Sequence, residues 1–183
     1  MHKATKWYIC LLFISHLTGC AKSVDSGSNN SEALSAALQN FSIQSDKNVY
    51  KIGQENIPLE ITYSYINEGN QNFYLGSCLG APSEVLEKLI DGEWIIAYKP
   101  VCPDILRSPI MVEPGKPYEA IIHLPPSIWD PAKEDLSWHQ NDIQGTYRVR
   151  ERVFGEWSME KHDNGTLESE IVVSNPFEIR MEL

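Results

Sequence analysis

Few side chains in this chain could do chemistry, and their spacing limits what that chemistry can be. Beyond residue 20 the histidines are His123, His139 and His162. A metal centre wants ligands at fixed short spacing, such as two histidines one helical turn apart, and no pair here has it. His123 falls in the apolar run Tyr118 to Leu124, where a packed or strand-edge role is expected. There is no Gly-x-Ser-x-Gly elbow to expose a nucleophilic serine. Acids are plentiful, with 25 Asp and Glu against 15 Lys and Arg. Counting alone therefore leaves room for a glycosidase-like carboxylate pair, although a solvated acidic surface is the simpler account. Asp130, Glu134, Asp135 and Asp142 suggest a cation loop, but their spacing lacks the glycine and regular alternation of a calcium site. Arg148, Arg150 and Arg152 recur at period two, so a strand would project all three from one face. Cross-strand pairing with Glu178 and Glu182 is the expected use of that row, and an anion site is the alternative. The expectation is a protein with no catalytic residues, no metal and no cofactor.

The first residues position the rest. MHKATK precedes the apolar run WYICLLFISHL, which gives way to Leu17, Thr18, Gly19 and Cys20. That order of charged, apolar and small is an export signal, and the apolar run is too short for a bilayer span of roughly 20 residues. Leu17-Thr18-Gly19-Cys20 resembles the lipobox of bacterial lipoproteins. The resemblance implies cleavage between Gly19 and Cys20, and a lipid on the Cys20 thiol as the means of membrane attachment. Ala21 then resembles the permissive position of lipoproteins sorted to an outer membrane, where the source has one.

Losing Lys3 and Lys6 with a leader that has no acid takes the formal charge from −10 to −12. A phosphate backbone demands clustered cations, so nucleic acid is not an expected partner. With Cys10 in the leader and Cys20 lipidated, Cys78 and Cys102 remain. An even pair in an oxidising compartment reads as a disulfide.

The organisation follows as 1–19 signal, 20–40 lipidated N-terminus and flexible tether, and 41–183 one domain. Residues 21–40 are rich in Ser and Asn, with a short helical turn conceivable from Ser31 to Gln39. From Phe41 on, β-type runs alternate with turn residues. Leu59, Ile61, Tyr63 and Tyr65 give the clearest half-buried strand. Val85 to Ile90 and Glu93 to Tyr98 flank Asp91-Gly92, a two-residue hairpin signal, and strand is preferred there over a competing helical face. In that register the two thiols fall only three positions out of step. Thr146 to Phe154 and Ile171 to Met181 are expected as the last strands, joined at Asn164-Gly165 and interrupted at Ser174-Asn175-Pro176.

These runs, with Asp91-Gly92-x-Trp94, Pro114-Gly115 and Gly145-Thr146-Tyr147-Arg148 as the most specific pieces, resemble bacterial Ig-like domains of exported lipoproteins. The resemblance implies an all-β, immunoglobulin-like antiparallel β-sandwich of about seven strands, with Tyr147 as a tyrosine corner and Val149 where antibody domains carry a cysteine. Function is expected to be binding in the cell envelope, with a protein or a glycan as partner. The candidate loop is Pro125 to Gln144, with Trp129, Asp130, Trp138 and His139. Both tryptophans folding back over a sandwich end is the other reading of that loop. Two rival functions are a protease-inhibitor-like sandwich presenting an exposed loop, such as Gly80-Ala81-Pro82, and a carboxylate enzyme acting on cell-wall glycans.

Overall fold

Period-two burial sets out two facing sheets. In a computed structural model, which describes residues 26–52, 58–102, 108–125, 138–140 and 142–182, strand β3 (Leu59–Asn67) buries every second residue from Leu59 to Asn67. It is the centre of a three-stranded antiparallel sheet, between β1 (Phe41–Ser45) and β10 (Tyr118–Leu124). The second sheet is built on β11 (Gly145–Phe154), whose inward residues are Tyr147, Val149, Glu151 and Val153. On one side β11 pairs with β13 (Phe177–Met181) and then β12 (Ser169–Val173). On the other it pairs with β7 (Val85–Ile90) and then β4 (Phe73–Leu75). Strand β8 (Glu93–Tyr98) extends the sheet from β7, β9 (Ile110–Val112) from β4, and β2 (Val49–Ile52) runs parallel to β13.

The result is an all-β sandwich. Its inner faces meet in one apolar cluster that includes Phe41, Tyr63 and Tyr65 from the first sheet and Phe73, Val149 and Phe177 from the second. An edge-to-face contact of Phe41 with Phe73, at 5.2 Å between centroids, ties the layers together, and a second, of Tyr50 with Phe177 at 5.1 Å, joins neighbouring strands of the second sheet. Chain interruptions split several expected strands in two, so short segments outnumber the expected seven.

The hairpin falls where the sequence puts it. Ile90 opposes Glu93 across Asp91 and Gly92, both at positive φ, as a primed two-residue turn requires. Tyr147 Oη donates to the carbonyl of Ile143 at 2.7 Å, the tie expected of a tyrosine corner.

Two expectations fail. The segment 20–40 is not a tether throughout: residues Ser26–Ala37 form helix α1, followed by a 3-10 turn at Leu38–Asn40. Leu34 and Leu38, one helical turn apart, give it an apolar face, and Leu34 joins the core. A Cβ on Gly155 would stand 2.9 Å from Leu34 Cδ1, so glycine there admits the helix. The Asn164-Gly165 pair is not a hairpin tip either. It ends a short helix, α2 (Met159–Asp163), capped at its start by Ser158 and stopped by Gly165 at φ 69°. The break at Ser174-Asn175-Pro176 separates β12 from β13, and Ser174 bridges it. Its N–H donates to Val149 O, and its Oγ accepts the Val149 N–H at 2.9 Å.

Candidate functional site

Of the residues singled out from sequence, Gly19, Cys20, Trp129, Asp130, Glu134 and Asp135 lie outside the described residues. Cys78 and Cys102 form a disulfide, with Cα atoms 5.4 Å apart. The bridge ties a small ribbon, β5 (Ser77–Cys78) and β6 (Ala81–Pro82), to the chain that leaves β8. Trp138 turns inward, pairs with Tyr98 as an isolated bridge and lies 6.3 Å from the Tyr147 ring, which favours the covering role. His139 donates its N–H to Ala97 O at 2.9 Å, so residues 138–140 line the outer edge of β8.

The arginine row does occupy one face, but its acid is not the expected one. Arg148 Nε and Nη2 both lie 2.7 Å from Glu87 Oε2, and Arg150 Nε lies 3.5 Å from Glu87 Oε1. Glu87 projects outward from β7, opposite Arg148 on one side and Ile96 on the other. Glu178 instead meets Arg180, and Glu182 meets Lys51 at 2.9 Å. The break at Ser174 is the reason: it sets Ile171 and Val173 of β12, not the acids of β13, beside Arg152 and Arg150. The Arg148 guanidinium also lies 4.3 Å from the Trp94 ring centroid, a cation–π contact. His123, expected in a packed or edge role, is on the exposed side of β10 and faces Glu60 at 3.3 Å.

Above this face lies a cleft of about 720 Å³, a size typical of ligand sites. Lys99, Arg150, Arg152, His139 and His162 supply its polar wall, and Ile96, Val101 and Ile171 its apolar wall. Its base is a gap in the ladder. Strand β7 pairs with β11 only as far as Arg150, and β4 resumes at Val153, because residues 76–84 make an excursion between them. Glu151 fills the gap: its Oε1 accepts the Arg152 N–H at 2.8 Å, and Tyr65 Oη donates to its Oε2 at 3.1 Å.

Glu151 points inward with Tyr147 and Val149, and the same register sets it level with Glu84. Burial raises Glu84 to about 7. Burial and the nearby Glu84 raise Glu151 to about 8, against the Arg152 N–H bond. Tyr63 and Tyr65, facing them from β3, are held far above the ordinary phenol range by the same desolvation. Sequence reasoning missed Glu84, Glu87 and Glu151. The legible signal was phase, since Glu151 shares the inward period of Tyr147, Val149 and Val153. Among the described residues no group of three or more His, Cys, Asp or Glu is placed to hold a metal ion. Nor is any described helix long and apolar enough to cross a membrane.

No family model and no curated protein matches the chain. Two solved structures of a β-glucosidase from Listeria innocua, with gluconolactone and with glucose bound, are similar at 8% and 10% identity, with TM-scores of 0.30 and 0.29. Each match covers 76% of this chain but 16% of the glucosidase, so the chain spans about a sixth of that protein's length and the likeness carries no argument.

Proposed function

We propose that this chain is a lipid-anchored, noncatalytic Ig-like binding module of the bacterial cell envelope that engages a protein or glycan through the outer face of the β11 sheet. The carrying observation is the cleft on that face, where a chain of formal charge −10 gathers Lys99, Arg150 and Arg152 beside apolar side chains. Basic and apolar groups side by side on an acidic protein suit a complementary surface better than a solubilising one.

The Ig-like reading draws support from the strand layout. Strands β1, β3 and β10 correspond to A, B and E of such a sandwich, and β4 with β7, β11, and β12 with β13 correspond to C, F and G. The first strand also divides between the sheets, β1 in one and β2 in the other. The anchor rests on Leu17-Thr18-Gly19-Cys20. Outer-membrane sorting rests on Ala21. The inhibitor alternative draws on Leu79, 73% exposed at the tip of the disulfide-held ribbon. Its φ of 54° makes a tight turn there, not the extended run that strand-like peptide recognition uses.

Crosslinking of the intact chain in its native envelope tests the binding face. Adducts formed by the wild type should vanish in a K99E/R152E variant, which leaves the Glu87 ion pairs in place, with Tm little changed. An unchanged adduct pattern would overturn the choice of face. Palmitate labelling that survives Cys20→Ser would overturn the anchor.

A further inference from the structure

Among the described residues every lysine and arginine pairs with a carboxylate, except Lys99 and Arg152. Those two line the same cleft over the β11 face. In a chain with 25 acids against 15 bases, cations that find no acid are the exception, and here they share one place. The strand register supplies the reason for Arg152. On one side it faces Ile171 of β12, and on the other it faces the gap between the end of β7 and the start of β4, so no cross-strand acid can reach it. Glu87 does not make up the deficit, because it already holds both Arg148 and Arg150. The one acid among the cleft's described lining residues is Glu151, which turns inward and stays protonated to about pH 8.

Beside the cations stand aliphatic side chains that are open to solvent. Ile96, Val101 and Ile171 all line the cleft and are all exposed. Along the sheet the two kinds run in parallel rows, Arg150 beside Val173 and Arg152 beside Ile171, repeating at the two-residue interval of a strand, about 7 Å.

We propose that this cleft receives an extended acidic segment of a partner protein, with carboxylates at Lys99 and Arg152 and aliphatic side chains against Ile96, Val101 and Ile171. The proposal rests on the binding face assigned above and gives its ligand a chemistry. A carboxylate only accepts hydrogen bonds, and ammonium and guanidinium groups only donate them, so the match is complete and charge-assisted. The hydroxyls of a neutral glycan need acceptors as well as donors, and the polar wall of this cleft is mostly cationic donors. An extended peptide repeats its side chains at the interval of the two rows, whereas a small acid meets them at a single level.

Calorimetric titration of the intact chain with a capped Glu-Val-Glu-Val tetrapeptide tests this. The salt is set at about 0.15 M, where a Debye length of about 8 Å screens the remote acids of the chain but not contacts inside the cleft. The peptide should bind at least about tenfold more tightly than its glutamine counterpart. K99Q/R152Q should abolish that preference. K51Q/K116Q, which changes the net charge equally at cations already paired elsewhere, should keep it. Equal binding of the glutamine peptide, or equal loss in the two variants, would overturn the proposal. So would hexanoate or an oligogalacturonate binding as tightly as the glutamate peptide, since the occupant would then be a small acid or an acidic glycan. Envelope crosslinks that vanish in K99E/R152E, with no preference for the glutamate peptide, would overturn this ligand and leave the choice of face standing.

Discussion

Glu84, just before β7, and Glu87, within it, are three residues apart and both buried, and the fold treats them in opposite ways. Glu87 faces outward and holds two guanidiniums. Glu84 faces inward, has the Tyr63 hydroxyl as its polar neighbour, and is raised to about 7 by burial. Loss of water disfavours a carboxylate in either place, but the outer face can supply cations whose heads still reach solvent. The inner face supplies aromatic rings and a second acid, so protonation is the remaining way to remove the charge. The two clefts on either side of Pro100 and Val101 inherit that difference, one lined by Lys99, Arg150 and Arg152, the other, between the β5–β6 ribbon and β10, largely apolar with Glu84 buried in its wall.

The largest effect that should separate the two acids is with pH. Glu84 and Glu151 titrate higher in the folded chain than in the unfolded one, so the fold binds more protons than the unfolded state between about pH 4.5 and 8. Stability from this source is therefore complete below the unfolded value and lost as pH rises through about 7 and 8. Thermal melts should show Tm falling steadily from pH 5 to pH 9, with the fall largely abolished in E84Q/E151Q. A wild-type Tm that rises over this range would refute the inward assignment.

Removing the bridge should injure both clefts together, because Cys102 anchors the segment that walls each of them. The enclosed loop of about 25 residues corresponds to about 3.5 kcal/mol in the chain-entropy account. C78S/C102S should lower the melting temperature by several degrees or more and keep the β-rich circular dichroism. A variant that melts with the wild type would show that the segment is held by other contacts.

Smaller still, and confined to the outer face, is the effect of E87A. It leaves Arg148 and Arg150 without their shared acid. A fully buried broken pair costs about 3–5 kcal/mol, and the partial exposure of both arginines discounts this to about 2 kcal/mol. Urea midpoints at pH 6 should place E84Q within about 1 kcal/mol of wild type and E87A clearly below both. The comparison fails if the two substitutions cost the same.

Much of the frame was legible because local rules agree with the global fold. Alternation from Leu59 to Tyr65 placed β3 and its buried face, and Asp91-Gly92 placed the hairpin with its register. That register also brought Cys78 near Cys102. What escaped depended on contacts between distant segments. Whether Leu34 and Leu38 fold back turns on the room that Gly155 leaves, which no window around residue 34 contains. The partner of the arginine row turns on how far Pro176 and its neighbours displace the last strand, a register that pairwise spacing does not encode. The candidate loop was half legible: Trp138 is described and turns inward, while Trp129 lies outside the described residues.

The parallel pairing of β2 with β13 has a mechanical consequence. Strand β2 is the second from the amino end, after β1, and β13 is the last, in register from Val49 with Glu178 to Ile52 with Met181. The ladder is closed beyond each end by the Glu178 N–H to Asn48 O and the Glu182 N–H to Ile52 O, at 2.8 and 3.1 Å. Once β1 has been drawn off β3, a pull between the amino and carboxyl ends runs along both strands in opposite directions, so it shears these bonds all at once instead of unzipping them one by one. Such a domain resists stretching through a handful of backbone hydrogen bonds between β2 and β13 at its margin.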